Sequence, residues 1–63
     1  MPMIRIEWLP GRTVEQKIEM ADVLTREVCR IARCKPTDVS LIFEEVSAEN
    51  WAVSGRLFSD SYE

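Results

Sequence analysis

Few side chains in this 63-residue sequence are equipped for chemistry, and those present narrow the choice. Histidine is missing altogether, which removes the Ser-His and Cys-His pairings that activate many nucleophiles. The only cysteines, Cys29 and Cys34, form a Cys-x4-Cys pair with no further Cys or His donors, whereas structural zinc takes four such ligands. They read as reduced, inert thiols, because Cys29 falls inside a strongly helical stretch and Cys34 near its end, a poor setting for a disulfide. Glu44 and Glu45 are neighbours on a predicted strand, so they point to opposite faces and suit a solvated or subunit-contact edge. There is no glycine-rich phosphate loop.

What remains is Pro2. An initiator methionine is commonly removed when the next residue is small, and Pro2 would then head the mature chain as a free secondary amine. Such an α-amino group has an unperturbed pKa of about 8. An apolar pocket and a nearby arginine both disfavour its charged form, leaving it largely neutral at pH 7. A base of that strength can take up and return protons without histidine. If Met1 is retained, Pro2 is an amide and has no basic nitrogen.

The elements that must carry these residues follow from periodicity. From Met3 to Leu9 the pattern alternates, with Ile4, Ile6 and Trp8 on one side and Arg5 and Glu7 on the other, as in a half-buried strand. Pro10-Gly11 breaks it. Thr13-Val14-Glu15-Gln16 is a capping box, and a helix is predicted from there to Arg33. Its apolar stripe is Ile18, Ala21, Leu24, Val28 and Ile31, with a looser one through Met20 and Val23. Arg30 and Arg33 complement the dipole near its C-terminus, and Cys34-Lys35-Pro36 ends it.

Asp38 to Val46 predicts a second strand, with Val39, Leu41 and Phe43 on one face and Ser40, Ile42 and Val46 on the other. Both faces are largely apolar, as in a parallel strand covered on both sides. Strand, helix and strand make a right-handed βαβ unit, an α+β architecture with one crossover helix. Beyond Val46, Ser54-Gly55 marks a turn, and Trp51, Val53, Leu57 and Phe58 anchor a small hairpin or arm expected to pack on a neighbouring subunit.

Length predicts a single domain spanning residues 1–63. A chain this short buries only about 60% of its unfolded surface and needs reinforcement. One helix covers one face of a two-stranded sheet, so the other face needs a partner, and an apolar fraction of 46% supports oligomerisation. The net charge of −3, with eight scattered basic residues, argues against nucleic acid as a partner. No run approaches the ~18 apolar residues of a membrane span, and Arg5, Glu7 and Pro10 interrupt any signal-peptide core. The expectation is a soluble, cytoplasmic protein.

The run Pro2-Met3-Ile4-Arg5-Ile6-x-Trp8-Leu9-Pro10-Gly11-Arg12-Thr13-x-Glu15-Gln16-Lys17 resembles the opening of the tautomerase superfamily, specifically the short-chain 4-oxalocrotonate (2-hydroxymuconate) tautomerase family. There an N-terminal proline heads the first strand, a Gly-Arg pair follows, and Glu-Gln-Lys sits in the first helical turn. The resemblance covers nearly the whole chain, including Glu49-Asn50-Trp51-Ala52-Val53-Ser54-Gly55, which is similar to that family's aromatic-containing hairpin. It implies the βαβ tautomerase fold, a homohexamer built as a trimer of dimers, and no metal or organic cofactor.

The resemblance also implies roles. Pro2 falls on the catalytic base, which carries a proton between an enol hydroxyl and a distant carbon of an unsaturated acid. Arg12 falls on the arginine that binds a substrate carboxylate, though by itself it would read as a solvated turn residue. Leu9 matches a position whose backbone lines the pocket, and Trp51 the bulky aromatic that closes it, a role compatible with subunit packing.

One departure matters. Where well-known members carry a second arginine at the start of the second strand, this sequence has Ser40, which cannot reproduce a guanidinium fork on a dicarboxylate. Arg56, just after Ser54-Gly55, is the nearest substitute. Dehalogenase and heterohexameric relatives divide such arginines among non-identical chains. The expected activity is enol–keto tautomerisation of a 2-hydroxy-dienoate or phenylpyruvate-like acid. The alternatives are a cofactor-free hydratase or dehalogenase of halogenated acrylates, and a non-catalytic or heterohexamer-partner subunit.

Overall fold

Residues 1–60 are described by a computed structural model. Strand β1 (Met3–Trp8) and strand β2 (Ser40–Glu45) pair in parallel, in register from Met3 beside Ser40 to Trp8 beside Glu45. Helix α1 (Val14–Ala32) makes the crossover between them. Alternation sorts the sheet into two faces. Ile4, Ile6 and Trp8 lie half-buried beside Leu41 and Phe43, and Met3, Arg5, Glu7, Ile42 and Glu44 are exposed on the other side. Trp8 stacks on Phe43, centroids 5.3 Å apart and planes 15° apart, a contact worth about 0.5–1.5 kcal/mol beyond area burial.

The adjacent glutamates show which face α1 covers. Lys17 on α1 donates to Glu45 at 2.8 Å, whereas Glu44 pairs with Arg5 at 2.6 Å across the open face. Both pairs are solvent-accessible and contribute little to stability.

The capping box forms as expected: Gln16 N–H donates to Thr13 Oγ1 at 3.1 Å, and Thr13 N–H to Gln16 Oε1 at 2.8 Å. At the other end Arg33 turns left-handed (φ 57°, ψ 52°), and Cys34 N–H donates to Cys29 C=O at 3.3 Å. The inward stripe differs from the predicted one. Lys17, Met20, Ala21, Leu24 and Val28 face inward, whereas Ile18 and Ile31 are 63% and 69% exposed. Ile18 lies about 100° round the helix from Lys17. Ile31 overhangs, because α1 runs roughly 28 Å against roughly 20 Å of strand.

Strand β2 also begins later than Asp38. Pro36–Asp38 close a 3-10 turn in which Asp38 Oδ2 accepts the Lys35 N–H at 3.1 Å. After β2, strands β3 (Ala52–Val53) and β4 (Arg56–Leu57) form the hairpin. Ser54 and Gly55 both have positive φ (54° and 80°), the geometry of a type I′ turn. The hairpin is tied to its own chain: Phe58 N–H donates to Trp51 C=O at 2.9 Å, Ser59 N–H to Ala48 C=O at 3.2 Å, and Trp51 stacks on Phe58 at 5.8 Å.

These layers make a slab of 44 × 24 × 13 Å. Its radius of gyration is 15.1 Å, against about 11 Å for a compact domain of this length. None of the described residues is fully buried. A helix on one sheet face fills that thickness and leaves Met3 and Ile42 uncovered.

Candidate active site

Pro2 stands at the head of β1, half-buried, its carbonyl accepting the Ser40 N–H at 3.0 Å. Proline has no N–H to lose from the ladder, so it suits the first position of a strand. Met1 is 93% exposed. Ser40 sits beside Met3 in register, one residue from Pro2.

The other candidates gather at the far end of β1. Leu9 is half-buried where the strand stops, next to the Val46 N–H that donates to Trp8 C=O at 2.8 Å. Gly11, at φ 128°, takes a conformation that L side chains rarely adopt, and the chain turns back on itself. That reversal brings the Arg12 guanidinium carbon to 5.3 Å from the centre of the Trp8 ring. Trp51 lines an open cleft of about 250 Å³ with Glu7, Val46, Asn50 and Ala52. Arg56 is exposed on the hairpin, and its Nη2 donates to the Asp60 carbonyl at 3.1 Å.

Leu9, Arg12 and Trp51 therefore share one end of the sheet, and Pro2 lies at the other, roughly 20 Å away along six strand residues. Within one chain Arg12 cannot act on the Pro2 amine. Three cleft residues are not picked out individually by the sequence, although Asn50 and Ala52 lie within the Glu49–Gly55 run. Glu7 looks like any outward strand position, and Asn50 and Ala52 have no spacing that marks them. The Trp8–Arg12 contact had one faint signal, an aromatic four residues before an arginine across Pro10-Gly11.

The thiols stand apart from this arrangement. Cys29 and Cys34 are free. Burial, then a hydrogen bond with the Cys34 thiol, then the nearby charges of Cys34 and Asp38, push the Cys29 thiol above its ordinary pKa, as for an inert cysteine. Among the described residues no cluster of three or more His, Cys, Asp or Glu side chains could hold a metal, and no helix is long and apolar enough to cross a membrane.

A family model described as tautomerase enzyme matches residues 2–61. The chain belongs to the tautomerase family. As a tautomerase it is an enzyme of the isomerase class. It is 30% identical over 60 residues to the 2-hydroxymuconate tautomerase of Bacillus subtilis, covering 95% of this chain and 97% of that one. The crystal structure of a 4-oxalocrotonate tautomerase homologue superposes with a TM-score of 0.90 at 33% identity, over 100% of both chains. A heterohexamer 4-oxalocrotonate tautomerase from Chloroflexus aurantiacus gives 0.86 at 33% identity, over 95% of this chain and 97% of that one. The βαβ fold, with parallel β1 and β2 and one crossover helix, is thus that of the tautomerases.

Proposed function

We propose that the mature chain, freed of Met1, converts a 2-hydroxy-dienoate or phenylpyruvate-like enol to its keto form. The Pro2 amine takes the proton from the enol hydroxyl; a C=O bond forms, the double bond shifts, and the same proton is returned to carbon at the distal end. Arg12 binds the carboxylate and draws electron density toward it, Leu9 and Trp51 line the pocket, and Arg56 meets the far end of the acid.

The observation that carries this reading is the anchoring of Pro2. Its place is fixed through its carbonyl by Ser40, while Met1 projects into solvent, so losing Met1 exposes an amine without loosening its position. The length of β1 then requires that Pro2 of one subunit work with Arg12, Leu9 and Trp51 of others. A homohexamer built as a trimer of dimers would supply them; the Chloroflexus relative, named a heterohexamer, supports a six-subunit assembly without deciding whether the chains here are identical. The name of the Bacillus relative favours 2-hydroxymuconate as a first substrate to assay.

Intact mass of the natural protein comes first, and a mass that includes methionine defeats the amine mechanism. In the mature form, Pro2→Ala is expected to lower turnover of phenylenolpyruvate or 2-hydroxymuconate by about tenfold or more. Unchanged turnover would overturn the assignment.

A further inference from the structure

Tryptophan is a costly way to fill a sheet face. The Trp8 indole N–H is buried without a hydrogen-bond partner among the described residues, a penalty that phenylalanine or leucine in its place would not carry. The ring packs on Phe43, but stacking needs no indole nitrogen. What distinguishes Trp8 is the cation it carries. Indole has the strongest π face for a guanidinium, and Arg12 lies 5.3 Å from the ring centre.

Arg12 has no hydrogen bond or ion pair among the described residues, so the Trp8 ring is its visible restraint. Long arginine side chains lose much rotamer freedom when they must hold a ligand. A carboxylate neighbour could also restrain Arg12, but it would occupy the N–H donors and cancel the charge that a substrate carboxylate needs. An aromatic face restrains the side chain and leaves the donors open. The backbone reversal at Gly11 delivers Arg12 onto that face.

We infer that Trp8 is a positioning residue for carboxylate recognition, its ring holding the Arg12 guanidinium ready for the acid while Phe43 supports the ring from the second strand. This rests on the reading of Arg12 as the carboxylate binder.

The test is steady-state kinetics on phenylenolpyruvate with Trp8→Leu, Arg12→Ala and the double variant. Trp8→Leu is expected to raise KM about three- to tenfold while kcat changes by less than about twofold. In the Arg12→Ala background the same change should have no further effect on KM, because its target is gone. A raised KM in Arg12→Ala with none in Trp8→Leu overturns the positioning role and leaves the carboxylate role standing. An unaltered KM in Arg12→Ala removes the carboxylate role and this inference together, as does a wild-type protein that turns over neither phenylenolpyruvate nor 2-hydroxymuconate.

Should Trp8→Leu fail to fold, fluorinated tryptophans decide the matter without changing shape. The series is run in the wild-type chain and, to isolate the contribution of Trp51, the other tryptophan, also in Arg12→Ala, with the rise in KM expected in the wild type alone. KM should climb stepwise as added fluorines weaken the ring's negative face. A flat series in the wild type, or an equal rise in Arg12→Ala, overturns the inference.

Discussion

Pro2 and Arg12 illustrate how little a list of site residues says about a site. Both suit the proposed reaction by their chemistry, yet β1 holds them at opposite ends of the subunit, so under that proposal each would work with residues of another subunit. Arg56 poses the sharper question at this scale, since Ser40 has no charge to offer a dicarboxylate. Losing a charged hydrogen bond to the distal carboxylate should raise KM for 2-hydroxymuconate about tenfold or more in Arg56→Ala. The monocarboxylate phenylenolpyruvate provides the control. An equal rise with both acids would point instead to the hairpin, where Arg56 also donates to the Asp60 carbonyl.

At the scale of elements, both turns that matter contain a non-glycine residue in the left-handed region, Arg33 at the end of α1 and Ser54 in the hairpin. An L residue there is held against its preference by the hydrogen bonds around it. Replacing Arg33 with glycine removes that strain, and Arg33→Gly is expected to stabilise the folded state by about 0.5–1 kcal/mol, read as a higher urea midpoint. A lower midpoint would mean that the guanidinium contributes more at the helix end than the backbone loses. Local chemistry made these elements legible: the capping box, the Pro10-Gly11 break and the Ser54-Gly55 turn are each set by a few adjacent residues. The inward face of α1 was harder to read. Ile18 and Ile31 fit a helical period as well as Met20 does, and only the width and length of the sheet beneath decide which of them it covers.

The whole molecule is a 13 Å slab without a fully buried residue among those described, too thin to hold a core of its own. Its stability should therefore depend on association. Sedimentation is expected to give a hexamer, and the thermal midpoint should rise with protein concentration, as mass action requires when only the assembled state is folded. A monomer with a concentration-independent midpoint would contradict this.

The sequence by itself determined the order of elements and the parallel pairing across one helix, and it raised two expectations, a partner on the open face and Pro2 as a base that needs no histidine. These are consequences of periodicity, turn chemistry and residue type, which act over a few positions. Tertiary structure alone decided the rest. It separated Pro2 from Arg12 by the length of a strand, set Arg12 over Trp8, and opened a cleft between Glu7 and Trp51. Distances of that kind depend on how far an element runs and where the chain turns back, and no spacing along the sequence records them.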